Sequence, residues 1–274
     1  FLQVAKQLNN ASVETLGTIY FVGNVGEEGP GNFRGVRHLF TKELEGKIDY
    51  FISIDGTGYG VTSRAVGSHR YRVTYKGSGG HSYGAFGTPN PIHALGRAIA
   101  IISDLQVPAQ PRVTFNVGVI SGGTSVNSIS ESASMDIDMR SESADELAKI
   151  DTQIQAAIQK ALADENARWV NRRQRLTVTI DTIGIRPTGA QSDTAVIVRT
   201  ALAAGKALGF SEPTSASSTD ANLPISMGIP AITIDGGGRG SGAHTTSESY
   251  DDTTTGYLGP QWAALLITSL AGIR

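Results

Sequence analysis

The chain has 274 residues, 39% of them apolar, with 23 basic against 25 acidic side chains and a formal net charge of −2. That balance is ordinary for a globular protein and gives no electrostatic reason to expect nucleic acid or a membrane surface as partner. No apolar run is long enough to cross a bilayer and no targeting segment is visible, so a cytoplasmic location is the expectation. With no cysteine, disulfides and thiolate chemistry are excluded. Any metal must then be held by carboxylates and by the five histidines, His38, His69, His81, His93 and His244, which narrows the ion to zinc, cobalt, manganese or similar.

Residues Phe1 to Leu8 read as the end of a helix. A β-rich run, Thr18 to Val25, stops at Gly26-Glu27-Glu28-Gly29-Pro30-Gly31. A helix is predicted over Arg34 to Glu45, then an apolar strand, Tyr50 to Ile54, that stops at Asp55-Gly56. Continuous apolar strands alternating with helices point to a buried, mostly parallel sheet. The pattern then changes to strict alternation at Tyr71, Val73 and Tyr75, at Val113, Phe115, Val117 and Val119, at Met135, Ile137 and Met139, and at Leu176, Val178 and Ile180. Strict alternation marks strands with one buried and one wet face. Between the first two of these runs Ile92, Leu95, Ile99 and Ile102 recur at helical spacing, and between the last two so do Leu147, Ile150, Ile154, Ile158 and Leu162. Ser143 is the predicted N-cap of the second helix, with Glu146 as its capping-box partner. The order β-α-β-β-α-β is the ferredoxin-like one.

After Gly184 the first style returns. A helix over about 193–208 precedes a short strand, Ala231 to Ile234. That strand runs through Asp235 and a glycine-rich loop to His244, and a last helix covers about 258–270. The architecture predicted is an α/β domain, 1–66 and 184–274, interrupted by an inserted ferredoxin-like α+β domain, 67–183.

Open α/β sheets bind ligands beyond the carboxyl ends of their strands. Three predicted strands end there on candidate metal ligands: Glu27 with Glu28, Asp55, and His244 through its glycine loop. Each signal alone has a bland explanation. Paired glutamates in a loop are usually solvated, Asp-Gly after a strand is usually a turn, and a histidine in a Gly/Ser loop is usually idle.

Taken as a set, the motifs resemble the M20 family of dinuclear-zinc peptidases and deacylases. Gly26-Glu27-Glu28-Gly29 resembles that family's double-glutamate motif, and Ile52-Ser53-Ile54-Asp55-Gly56 its next metal ligand. Gly77-Ser78-Gly79-Gly80-His81-Ser82 resembles the histidine motif of its inserted dimerisation (lid) domain. Ser121-Gly122-Gly123 through Val126-Asn127 to Asp138-Met139-Arg140 resembles that domain's Asn and Arg positions. Ser218-Thr219-Asp220-Ala221-Asn222, Gly228-Ile229-Pro230 and Gly242-Ala243-His244-Thr245 resemble the C-terminal signature. The resemblance implies a zinc-peptidase-like catalytic domain and hydrolysis of an amide bond in a small peptide or an N-acyl amino acid.

It also implies roles. Glu27 is the general base acting on a zinc-activated water. Glu28, Asp55 and His244 are metal ligands for two zinc ions, replaceable by cobalt or manganese. His81 acts in catalysis from a partner subunit, Asn127 and Arg140 bind substrate, and a homodimer forms through the inserted domain. Complete members carry an earlier His-x-Asp motif and an Asp that bridges the zincs, whereas no histidine here precedes His38. The chain therefore reads as N-terminally incomplete, with little or no hydrolase activity expected of it alone. The competing reading is a non-catalytic dimerisation or binding fragment of such an enzyme. A nucleotide-binding reading has little support, because the loop at Gly236 to Gly242 lacks the Lys-Ser/Thr of a phosphate loop.

Overall fold

In a computed structural model describing residues 2–169 and 173–274, the chain starts in helix α1 (Leu2–Asn10), and Phe1 lies outside the described residues. Helix α2 (Arg34–His38) follows and continues as a π-helical turn, Leu39–Glu43. Next come strands β1 (Phe51–Ile54) and β2 (Val61–Ala65). The middle of the chain holds β3 (Gly67–Lys76), β4 (Gly80–His81), α3 (Pro91–Ser103), β5 (Val113–Gly122), β6 (Ser128–Ile129), β7 (Ser132–Ser141), α4 (Ala144–Arg168) and β8 (Thr177–Arg186). The last part holds β9 (Gly189–Ala190), α5 (Val196–Ala207), β10 (Thr214–Ser217), α6 (Asn222–Ser226), β11 (Ala231–Ile234), β12 (Arg239–Ser241), β13 (Ser249–Asp251) and α7 (Leu258–Ala271). These elements form two compact units, Phe1–Val66 with Pro187–Arg274, and Gly67–Arg186.

The inserted unit is a four-stranded antiparallel sheet in the order β5-β7-β3-β8, with the β-α-β-β-α-β course that its alternation predicts. Its apolar face carries Tyr71, Val73, Tyr75, Met135, Ile137 and Met139, all buried against α3 and α4. Both helices are capped, α4 at the predicted Ser143: Asn90 Oδ1 accepts the Ile92 amide at 2.9 Å, and Ser143 Oγ accepts the Glu146 amide at 3.3 Å. The capping box is only half made. The Ser143 amide donates to Ser141 Oγ, and the Glu146 carboxylate takes Lys149 Nζ at 2.6 Å instead. Glu165 has no exposed surface and accepts from the Asn90 amide, Arg97 Nε and Trp169 Nε1, so its buried charge is fully engaged.

The other unit is α/β, and its sheet is mixed. β1–β11 and β2–β10 run parallel, while β11–β2 and β2–β9 run antiparallel. Apolar side chains point to both faces. Ile52, Ile54, Ile232 and Ile234 join a cluster with Ile197, Val198, Trp262 and Leu266, while Phe51 packs with Phe33, Val36 and Phe40. That two-sided burial is why β1 and β11 read as continuous apolar runs.

Three expectations change on folding. Thr18 to Val25, predicted as a strand, has no strand assignment, and among the described residues it joins none of the sheets. The helix predicted over Arg34 to Glu45 is a short α-helix followed by one wide turn. Short strands β2, β9 and β10 carry too little periodicity to be read from sequence, and only tertiary pairing defines them.

Candidate active site

The glutamate pair is held by a tight return of the chain. Gly26 has φ of +75°, and the Phe33 amide donates back to the Gly26 carbonyl at 2.9 Å. At Gly31 a Cβ would come within 2.5 Å of that same carbonyl oxygen, so glycine is required there for close approach. The buried Phe33 ring, itself at positive φ, anchors the return in the core.

Asp55 is fixed by a second set of backbone bonds. Its amide donates to the Ile234 carbonyl at 3.1 Å, and Gly236 and Gly237 bond the carbonyls of Gly56 and Gly58. Asp235 closes this loop by accepting the Gly60 amide on Oδ2 at 2.7 Å. Burial pushes the Asp235 carboxyl up, the Gly60 amide opposes this, and the nearby charges of Asp55 and Glu212 add to the rise.

A third segment contributes Asp220. Thr219 Oγ1 bonds Thr233 Oγ1 at 2.6 Å, and the Thr219 amide donates to Asn222 Oδ1 at 2.9 Å. The Asn222 side-chain amide donates in turn to the carbonyls of Val66 and Pro187. This network leaves Asp220 nearly buried, with Asn24 Nδ2 donating to its Oδ2.

Glu27, Glu28, Asp55, Asp220 and Asn24 line one cavity of about 420 Å³. Three of the predicted site residues thus come together. Asp220 and Asn24 join them unpredicted, although Asp220 lies within the Ser218 to Asn222 run whose resemblance was legible. His244 does not line this cavity. It sits exposed at φ of +64°, its amide donating to Glu248 Oε2 at 3.1 Å.

Carboxylate oxygens suit a divalent cation in donor type. Among the described residues, however, no three His, Asp or Glu side chains stand close enough together to hold one ion. The residues as placed therefore do not make up a metal centre.

In the inserted unit, His81 and Asn127 are neighbours. β4 pairs with β6 so that His81 lies opposite Ser128, and the Ser82 amide donates to the Asn127 carbonyl at 2.9 Å. His81 Nδ1 accepts the amides of Tyr83 and Gly84, and Asn127 Oδ1 accepts Ser125 Oγ at 2.6 Å. Arg140 lies apart from them on β7, with Nε on Asp138 Oδ2 at 2.7 Å while Arg70 Nε takes Oδ1. Burial would push Asp138 up, but its hydrogen bonds to Arg140 and Arg70 outweigh this and hold its carboxyl below the ordinary range. His38, His69 and His93 face Glu43, Asp151 and Glu165 and stay outside any site.

Residues 64–166 match the profile of the M20 peptidase dimerisation domain. Among solved structures, a tripeptidase from Staphylococcus aureus superposes with a TM-score of 0.77 at 21% identity, covering 98% of this chain and 68% of its own. The aminopeptidase PepT from Bacillus cereus gives 0.75 at 19% identity, with the same coverages of 98% and 68%. The chain has the fold of the M20 peptidases. The YXEP protein of Bacillus subtilis, described as a dinuclear metal-binding peptidase of the M20 family, gives 0.63 at 18% identity, covering 98% of this chain and 69% of its own. No curated protein sequence matches the chain. The inserted unit of this M20 fold is the dimerisation domain, and no helix among the described residues is long and apolar enough to cross a membrane.

Proposed function

We propose that the carboxylate end of the cavity is the reaction centre of a metal-dependent amide hydrolase acting on small peptides or N-acyl amino acids. The observation that carries this reading is the convergence of Glu27, Glu28, Asp55 and Asp220 on one cavity in a chain with the M20 fold. Glu27 is the proton carrier: its carboxylate takes a proton from the attacking water and returns it to the leaving amine. Glu28 and Asp55 are the residues that would hold metal, zinc first and cobalt or manganese as substitutes, with His244 joining from its loop. An ion held there would supply a water of lowered pKa, about 7, and would polarise the scissile carbonyl. His81, Asn127 and Arg140 belong to substrate handling, with Arg140 first released from Asp138.

A homodimer through the inserted unit goes with this reading. It is supported by the dimerisation-domain match and by exposed Val119, Ile120 and Val126 on and after the edge strand β5. A second reading, a non-catalytic dimerisation or binding module, is favoured by the lack of three gathered ligands among the described residues.

The test compares wild type with Glu27→Gln on a panel of dipeptides, tripeptides and N-acetyl amino acids, with metal content measured in parallel. Loss of turnover by a factor of about 10² to 10⁴ at unchanged metal content supports the hydrolase. Equal turnover in both forms removes Glu27 from the mechanism. No turnover in wild type with any divalent metal leaves the binding module as the better account.

A further inference from the structure

The wet face of the inserted unit's sheet carries two ion-pair clusters of different construction. On β3 and β7, Arg70, Arg72, Asp136, Asp138 and Arg140 alternate with the buried side chains that pack on α3 and α4, so all five stand on the opposite face. The register sets Arg72 directly across from Asp136 and Arg70 directly across from Asp138. The first pair closes on itself. Arg72 Nε meets Asp136 Oδ1 at 2.8 Å and Nη2 meets Oδ2 at 2.7 Å, the two parallel bonds of a one-to-one fork.

Asp138 is instead shared. Its Oδ1 accepts Arg70 Nε and its Oδ2 accepts Arg140 Nε, each at 2.7 Å. Two guanidiniums thus hold one carboxylate, and the three groups keep one positive charge in excess. The residues directly opposite add no charge: Ser68 and Thr114 face Arg140, Asn116 faces Asp138, and Gly184 faces Arg70. Arg140 uses only Nε in this contact, and among the described residues its two Nη groups have no partner. The side chains of Arg140, Asp138 and Arg70 are 40%, 31% and 18% exposed, so Arg140 is the outer cation and Arg70 the inner one. Burial works against the Asp138 charge, but the hydrogen bonds from Arg140 and Arg70 outweigh it, and the carboxylate is ionised at neutral pH.

We infer that Asp138 is an internal stand-in for a ligand carboxylate on Arg140, and that Arg70 sets how readily the two exchange. An arriving carboxylate takes the Arg140 fork, Arg140 leaves Asp138, and Arg70 stays behind on Asp138. A half-buried carboxylate abandoned by its only cation is costly, whereas one that keeps a second cation is not. Arg70 is therefore a positioning residue that acts on the ligand only through Asp138. The inference rests on the reading of Arg140 as a substrate-handling residue, and it names the group handled as the free carboxylate of a peptide or an N-acyl amino acid.

The test is binding of N-acetylglycine to this chain by calorimetry or NMR titration, with neutral N-acetylglycinamide as control and metal chelated so that nothing turns over. Asp138→Asn removes the competing anion and tightens N-acetylglycine binding by roughly three- to ten-fold. Arg70→Gln leaves Asp138 wholly to Arg140 and weakens binding by a similar factor. Arg70→Lys keeps the second cation and binds as wild type does, while Arg140→Gln loses binding. N-acetylglycinamide responds to none of these changes. Weaker binding in Asp138→Asn overturns the inference, because Asp138 then orients Arg140 rather than competing for it. So does equal loss in Arg70→Gln and Arg70→Lys, which makes Arg70 structural only, or unchanged binding in Arg70→Gln. Absence of N-acetylglycine binding in both wild type and Asp138→Asn overturns it as well. Since the affinities are read without turnover, their failure leaves the Glu27 test of the hydrolase untouched, and failure of that test leaves the affinities as they stand.

Discussion

The two units of this chain contrast in how completely they bury their own apolar sequence. In Gly67–Arg186 the central strands β3 and β7 are paired along both edges, and Val73, Tyr75, Met139, Ile154 and Ile158 have no exposed surface. In the other unit, Val61, Ile197, Ile232 and Trp262 are equally enclosed, but β1 and residues 19–25 are not. The lesson is that apolar content does not measure completeness of a fold. A strand is fully buried only when other elements cover it, and β1, at the edge of its sheet, is half-buried along its whole length.

The largest effect that separates the two units is expected from cavity formation. Ile137→Ala, in the enclosed core of the inserted unit, destabilises it by about 3 kcal/mol. Ile52→Ala, on the half-buried strand, costs under about 1.5 kcal/mol in this chain. Denaturant melts followed by exchange in each unit check this, and equal losses at the two sites break the comparison. Asn222→Ala comes next. It leaves the carbonyls of Val66 and Pro187 without their donor and frees the Thr219 amide, for a loss of about 2 kcal/mol confined to the α/β unit. The same substitution displaces Asp220, so binding of a divalent probe such as manganese at the cavity weakens with it.

A smaller effect belongs to Ser143→Ala, which removes the N-cap of α4 and costs the inserted unit about 1 kcal/mol without touching the cavity. The smallest concerns pH. The Asp138 carboxyl is held below its ordinary range in the folded unit, so its contribution is present above about pH 4 and is lost as pH falls through the folded value. Wild type and Asp138→Asn therefore differ by at most about 1 kcal/mol at pH 7 and converge in acid melts. A difference that grows on acidification contradicts the assignment.

Legibility in the sequence followed how local each signal was. The alternation at Tyr71, Val73 and Tyr75 and at Met135, Ile137 and Met139 identified their strands, because one wet face and one dry face leave a two-residue period. Ser143 was readable as a cap because capping is local, although the Glu146 half of the box went to Lys149, a competition that no motif shows. Asp55 was readable as a strand-end carboxylate and Glu27 and Glu28 from their motif, although no strand precedes that pair, and all three line one cavity. Asp220 was passed over because its place depends on Thr233 and Asn222, residues on other elements. His244 was grouped with the carboxylates from its motif, and its loop holds it outside their cavity.

By itself, then, the sequence determined the ferredoxin-like insertion and the α/β frame around it, because periodicity and caps are written in neighbouring residues. Only the tertiary structure decided which strands pair, that residues 18–25 take no strand assignment, and that an apolar cavity opens beside β1. Hydrogen bonds between distant segments form where backbones meet in space, and no spacing along a single chain records which edge is left unpaired.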